Sequence, residues 1–215
     1  MADTSFLDWP FLEPKHKALH AALEAWASDN LRHVDHDNTD QTCQALVAAL
    51  GAAGILKHTG VNATFPQIDV RSLCLIRETL ARHDGLADFA FAMQGLGTMA
   101  ISLFGSDTQK AGWLPKVQSG AALSAFALSE PQSGSDVANL QLSARRDGNG
   151  YVLNGEKTWI SNGGIADVYT VFARTGEAPG GRGISAFIVP ADTPGLQIAE
   201  RLETVSPHPL ARLVF

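Results

Sequence analysis

The chain has 215 residues, 45% of them apolar and 18% charged, with a formal net charge of −6. That length allows one large domain or two of moderate size, and the apolar fraction excludes general disorder. A net acidic chain without a run of Lys or Arg lacks the electrostatic footprint of a nucleic-acid binder.

Residues 1–14 contain no Lys or Arg but carry Asp3, Asp8 and Glu13. Neither a secretory signal nor a mitochondrial presequence reads that way, so the expected location is cytoplasmic. Residues 15–120 follow a helical period. Within 15–32, Ala18, Leu19, Ala22, Leu23, Trp26 and Ala27 form one apolar stripe. A second helix over 41–50 takes Asp40 as N-cap and Gly51 and Gly54 as stops. Asp69 caps a third helix through about Arg82, with Leu73, Ile76, Thr79 and Leu80 facing inward. The apolar stretch 86–104 is interrupted by Asp88 and Gln94, falls short of the ~20 unbroken apolar residues of a membrane span, and reads as a buried helix ending at Gly105. Ser106 or Asp107 then caps a short helix over 108–118.

From residue 121 the punctuation changes. Short apolar or alternating runs at 123–128, 140–145, 151–153, 158–160, 168–173, 184–189 and 196–199 are separated by Gly, Asn, Asp and Pro, and Asp147-Gly148-Asn149-Gly150 is a hairpin turn. The expected fold class is α+β: an all-α domain over 1–120, then a small antiparallel β-barrel or sandwich over 121–215. The glycine loop 176–183 reads as mobile. Because the chain stops at Leu213-Val214-Phe215 inside a strand pattern, the β domain is expected to be incomplete and the chain part of a longer protein.

Several motifs carry less than their strings suggest. Gly95-Leu96-Gly97-Thr98-Met99-Ala100 matches a dinucleotide fingerprint, but no strand precedes it and no βαβ unit surrounds it. Its small residues instead permit close approach of a helix or a ligand. His16 and His20, like His33 and His36, have no metal-ligand partner spacing and read as surface histidines, and no metal site is expected. Cys43 and Cys74 read as buried apolar thiols of a reducing compartment.

Two segments remain: Phe126-Ala127-Leu128-Ser129-Glu130-Pro131-Gln132-Ser133-Gly134-Ser135-Asp136 and Asn154-Gly155-Glu156-Lys157-Thr158-Trp159-Ile160-Ser161-Asn162-Gly163-Gly164. In this order, inside a β-rich region after an all-helical one, they resemble the flavin-binding middle domain of the acyl-CoA dehydrogenase family. The likeness extends from about residue 10 through 187–195 to 213–215. It implies FAD as cofactor, with contacts from Phe126, Ala127, Leu128, Ser129, Ser135, Trp159, Ile160 and Ser161. It gives Ser135 a further contact to the coenzyme A portion of the substrate. The implied reaction is α,β-dehydrogenation of an acyl-CoA thioester to the trans-2-enoyl-CoA, with electrons passed to an electron-transferring flavoprotein, in a homodimer or homotetramer. An acyl-CoA oxidase or a nitroalkane-oxidising relative fits the same resemblance. A non-catalytic β-barrel binding module is the alternative from another class.

The residue chemistry agrees with the resemblance. A flavin ring that receives a hydride gains negative charge along one edge, and a site promoting this holds hydrogen-bond donors there in advance. Ser129 and Ser161 offer such hydroxyls, and Trp159 offers a flat face, although an indole in a barrel core fits the same residue. Pro131 and Gly134 turn the chain, and Asp136 could cap that turn. Arg182 is a candidate for a coenzyme A phosphate, and Met93, Leu96, Gly97 and Met99 for a wall of the acyl pocket. Ser129 and Ser161 stand where the family often has Thr, which leaves their rotamers freer. Glu130 belongs to the turn and nothing singles out Glu156. No catalytic residue is assigned, because the resemblance places the proton-abstracting carboxylate in a C-terminal helical domain that this sequence lacks.

Overall fold

The structure is a computed structural model that describes residues 3–176 and 178–215. Five helices come first: α1 (Pro14–Asn30), α2 (Thr39–Ala52), α3 (Val70–His83), α4 (Gly85–Phe104) and α5 (Asp107–Gln118). Local chemistry sets their ends. Pro14 occupies the first turn of α1, where its missing N–H costs nothing. Asp69 and Asp84 accept the Arg71 and Ala87 amides at the starts of α3 and α4, and Ser106 and Gln109 form a reciprocal capping box on α5.

Several expectations need correction here. The cap of α2 is Asn38, whose carboxamide accepts from Gln41 N at 3.1 Å, so the helix starts before Asp40. Gly51 lies inside that helix, because a Cβ there would meet the Ser119 carbonyl at 2.2 Å; Gly51 allows contact and does not stop the helix. On α1 the inward stripe is His16, His20, Leu23 and Ala27, with Ala18 and Ala22 exposed. His16 can be buried because both ring nitrogens are used: Nδ1 accepts from the Glu13 amide at 2.9 Å, and Nε2 faces Asp69 at 3.0 Å. Cys43 is buried, whereas Cys74 is exposed on the outer face of α3.

Helix α4 organises the first half. It is long and apolar enough, by length and composition, to cross a membrane, but Ala87, Ala90, Phe91, Gln94, Gly97 and Ile101 are buried within the protein. Leu23, Val47, Leu50, Ile76, Leu80 and Phe91 belong to the core that α1 to α4 share.

The second half holds β1 (Ser124–Ala127), β2 (Ser143–Asp147), β3 (Gly150–Asn154), β4 (Glu156–Ser161), β5 (Val168–Arg174), β6 (Ile184–Pro190), β7 (Gln197–Arg201) and β8 (Leu210–Val214). The β2–β3 hairpin closes through Asp147 opposite Gly150, with Gly148 at φ +56°. The α+β class stands, but the β half is two sheets and not a closed barrel. In the first sheet β5 is central: β6 runs antiparallel along one edge, while β1 and the start of β2 pair with it in parallel. Parallel pairing follows from the long connections from β1 and β2 to β5, which no tight hairpin could make. The second sheet, β7–β8–β4, is antiparallel. Ala125, Ala127, Leu142, Ile160, Tyr169 and Leu213 pack in the core that the two sheets share.

The two halves meet where α4 crosses β1. A Cβ on Gly97 would sit 2.5 Å from Ser124 Oγ and 2.9 Å from the Ala125 amide nitrogen, so only glycine permits this approach. The Gly97 carbonyl accepts from Thr170 Oγ1 at 2.6 Å. The buried Gln94 carboxamide donates to the Ala122 carbonyl at 2.8 Å and accepts from Ser124 N at 3.0 Å. The string that mimicked a nucleotide loop is therefore a helix–strand contact.

Candidate functional site

Period-two alternation in β1 sends Ala125 and Ala127 into the sheet core and turns Phe126 outward, where it packs on Phe172 with ring centroids 4.9 Å apart. Leu128 continues on the same outward side. The chain then turns tightly at Glu130–Ser133, whose two mutual backbone hydrogen bonds are 3.1 and 3.0 Å. Ser133 Oγ donates to the Asp136 carbonyl at 2.6 Å, leaving Ser135 exposed at the tip. The Asp136 side chain makes no cap.

The second segment is irregular at Trp159. Strand β4 pairs with β8 as Lys157 opposite Leu213 and Ile160 opposite Ala211, so two residues, Thr158 and Trp159, stand against Arg212 alone. Within this bulge Trp159 takes φ +58° and is 58% exposed. A side chain rarely tolerates that backbone region, and the indole is not part of the core. The Thr158 amide is released from the β8 ladder and donates to the Ser129 carbonyl at 2.9 Å. Asn162, also left-handed at φ +60°, is buried and donates from Nδ2 to the Ser124 carbonyl at 2.9 Å.

These bonds bring the two segments side by side. Ser129 and Ser161 are half-buried, and neither hydroxyl bonds to a protein group among the described residues. Ala127 and Ile160 point into the core, so only their backbone is available to a ligand.

Beneath the pair lies a buried ion pair that the sequence pattern does not reveal. Lys157 Nζ donates to Glu130 Oε1 and to the Leu128 carbonyl, both at 2.8 Å. Glu130 also accepts from Gln141 N at 2.5 Å, Leu142 N at 2.9 Å and Gln132 Nε2 at 2.9 Å. Burial pushes the Glu130 carboxyl upward, but the bonds from Lys157 and the two amides outweigh it and leave the pKa below its ordinary value. For Lys157 burial dominates, lowering its pKa against the pull of Glu130. The signal available in the sequence was a lysine two residues before the indole. Strict alternation assigns both to one face, and the bulge separates them.

An open cleft of about 750 Å³ runs beside this arrangement, between α4 and the first sheet. Leu96, Met99 and Leu103 line it from the helix, and Phe126, Leu128 and Phe187 from the β half. Of the four residues expected in an acyl wall, Leu96 and Met99 face it. Gly97 is used in the β1 contact, and Met93 lines a separate depression with Arg77, whose guanidinium is paired with Asp88 at 2.8 Å. Among the described residues no Asp or Glu lines the cleft. Ser135 and Arg182 are not part of its wall, but Val137, Ala138 and Gly181, their close neighbours, are. Arg182 is exposed in a 3₁₀ turn, Gly180–Gly183, that Arg174 braces through the Ala178 and Gly180 carbonyls. The loop expected to be mobile is thus folded over much of its length; Glu177 lies outside the described residues.

Two family models match the chain: "Acyl-CoA dehydrogenase, N-terminal domain" over residues 13–121 and "Acyl-CoA dehydrogenase, middle domain" over 125–215. A probable acyl-CoA dehydrogenase, fadE25, of Mycobacterium leprae is 36% identical over 193 residues, covering 88% of this chain and 50% of the relative. A glutaryl-CoA dehydrogenase from Mycobacterium smegmatis, solved in complex with FADH2, superposes with a TM-score of 0.82 at 30% identity over 99% of this chain and 54% of its own. An acyl-CoA dehydrogenase from Geobacillus kaustophilus gives 0.82 at 30% identity over 96% and 56%. The chain spans about half the length of the curated relatives it matches.

Proposed function

Since this chain belongs to the acyl-CoA dehydrogenase family, we propose that it holds FAD at the junction of the 126–135 and 159–161 segments and serves the α,β-dehydrogenation of an acyl-CoA thioester to its trans-2-enoyl form. The carrying observation is that junction: two hydroxyls without protein partners and an exposed, bulge-presented indole, tied together by the Thr158–Ser129 bond beside an apolar cleft.

When bound, FAD accepts the hydride leaving the substrate β-carbon. The chain's own residues bind, orient and exclude water. The Ser129 and Ser161 hydroxyls, which have no protein partner among the described residues, would be free to donate to acceptors on the ring, from backbone positions that the folded β scaffold sets in advance. Trp159, exposed on its bulge, would offer a face of the ring an aromatic surface to pack on. Phe126 and Leu128 dry the adjoining cleft, and the exposed Ser135 and Arg182, close in sequence to its wall residues Val137 and Gly181, would meet the coenzyme A portion and its phosphates. Among the described residues no charged side chain lines the cleft wall, which suits an uncharged hydrocarbon acyl group better than a dicarboxylic one. The α-proton needs a base within hydrogen-bond reach. Among the described residues no side chain of the cleft wall qualifies; we therefore take the base from outside them, and assign turnover, the electron-transferring flavoprotein partner and the homo-oligomer to the full-length protein.

The direct test is titration of the purified protein with FAD, followed by flavin fluorescence and the visible absorption band. Saturable binding that fails in a Ser129→Ala/Ser161→Ala variant is expected; absence of any FAD binding refutes the reading. In the full-length protein, anaerobic bleaching of the flavin by butyryl- or hexanoyl-CoA but not glutaryl-CoA is expected.

A further inference from the structure

The Lys157–Glu130 pair is an odd thing to find at the end of a strand. Both side chains are essentially out of contact with water, at 0% and 3% exposure. Burying two charges gains little stability, since their desolvation offsets their attraction, and apolar residues of similar size commonly do as well. What such a pair does supply is a unique arrangement of the groups it bonds, because leaving any of them unpaired is costly.

The atoms bonded here are informative. Lys157 Nζ reaches the Leu128 carbonyl, one residue before Ser129, and Lys157 itself is the residue before the bulge that presents Trp159. Glu130 follows Ser129 directly and binds the Gln141 and Leu142 amides, which lead into β2. The pair therefore clamps together the strand end bearing Ser129, the bulge bearing Trp159 and the entrance to β2. It does so where no ladder joins β1 to β4: the Ser124, Leu128 and Ser129 carbonyls are instead taken by Asn162 Nδ2, Lys157 Nζ and Thr158 N. Apart from the single Thr158–Ser129 backbone bond, the clamp is what sets the separation between the Ser129 hydroxyl and the indole.

We propose that the buried Lys157–Glu130 pair is a positioning device for the flavin site, fixing Ser129 and Trp159 in register with each other and touching neither ligand nor substrate. The proposal rests on the FAD reading above. If it acts this way, flavin affinity and fold stability separate on mutation. Glu130→Gln and Lys157→Met each leave a partner buried and unpaired, and lower both quantities. The double variant Glu130→Gln/Lys157→Met removes both charges and recovers part of the thermal stability, the remainder being lost because a carboxamide can accept from only one of the Gln141 and Leu142 amides. It does not restore the bond to the Leu128 carbonyl, so FAD binds roughly tenfold or more weakly and the bound flavin band loses its resolved shape. Glu130→Asp keeps the charge but shortens its reach by one methylene, and weakens FAD binding in the same direction while folding.

The measurement is FAD titration of each variant well below its own melting temperature, with melting recorded in parallel. A double variant and a Glu130→Asp variant that bind FAD as wild type does, with the same flavin spectrum, overturn the proposal. So does an affinity that simply tracks melting temperature across the four variants. A wild-type protein that binds no FAD at all removes the parent reading instead, which separates the two failures.

Discussion

Replacing Gly97 by alanine tests the contact on which the geometry of the whole site depends. The added methyl would lie 2.5 Å from Ser124 Oγ, 2.7 Å from Ser124 Cβ and 2.9 Å from the Ala125 amide nitrogen. Ser124 cannot step aside, since its amide is bonded to Gln94 Oε1 and its hydroxyl lies 3.2 Å from the Met93 and Gln94 carbonyls. The helix must move away from β1, an overpacking cost of about 3 kcal/mol. Against this, alanine is the better helix former by about 1 kcal/mol. The net loss is about 2 kcal/mol, a drop in melting temperature of roughly 4–8 °C for a protein of this size. Gly112→Ala in α5 is the matched control, because a Cβ there meets nothing within 4 Å. It keeps the propensity gain without the clash and raises stability by up to about 1 kcal/mol. Urea unfolding of both variants reads the contrast directly. Because the displaced strand carries Phe126 and leads into Ser129, Gly97→Ala is also expected to weaken FAD binding, and Gly112→Ala to leave it unchanged. A Gly97→Ala protein as stable as wild type would refute the close-packed contact and the argument built on it.

Trp159→Gly relieves the left-handed backbone at φ +58°, so stability stays within about 1 kcal/mol of wild type while FAD affinity falls; a melt that collapses instead would make the indole a core residue. Burial, assisted by Asp40, pushes the Cys43 thiol up to about 12, so alkylation at neutral to mildly alkaline pH followed by mass spectrometry should find Cys74 alone modified, and both thiols only after denaturation. Acid should weaken the fold in two stages. Burial holds His20 and His58 below their usual 6.5, so the unfolded chain binds those protons first and stability declines as pH falls through 6.5. The Asp69 carboxyl is raised by burial but pulled well down by Lys15, His16 and Arg71, and Glu130 is likewise lowered. Their contribution is present above about pH 4 and lost below it. Melting temperatures that rise between pH 7 and 5 would contradict this.

The helical half was legible because its signals are local. Asp69 and Ser106 cap where their side-chain chemistry says they should, and Ile76, Thr79 and Leu80 face inward on a 3.6-residue period. On α1 Leu19, Leu23, Trp26 and Ala27 pack on the core as the period predicts, while Ala18 and Ala22 are exposed; periodicity scores histidine as polar and so misses the buried His16, which is satisfied by Glu13 N and Asp69, the latter brought to it only by the fold. Cys74 looked apolar but stands one position off the buried face of α3. In the β half the strands were readable and their partners were not, since parallel pairing of β1 with β5 depends on contacts over forty residues apart. Of the site, the two segments and the serine and indole chemistry were visible. The clamp was not, because Glu130 looks like a turn residue until Lys157 is seen against it.

The places where local rules break are concentrated at one spot, and that concentration is itself an argument. A tryptophan in a left-handed backbone, a bulge that frees the Thr158 amide and a fully buried lysine each run against the preferences of an ordinary strand. Strain of ~1–3 kcal/mol per outlier persists only where the surroundings hold it. Here the holding groups are the Glu130 carboxylate, the Leu128 and Ser129 carbonyls and the paired strand β8. Removing the irregularity would be simple: an alternating β4 could bury Trp159 and pair its whole length with β8. The sequence instead keeps the indole outside, in the same short segment as Ser161 and tied through Thr158 to Ser129, whose neighbour Leu128 lines an apolar cleft. A scaffold selected for stability alone has no use for that arrangement, whereas a flat aromatic ligand with polar edges has a use for each part of it.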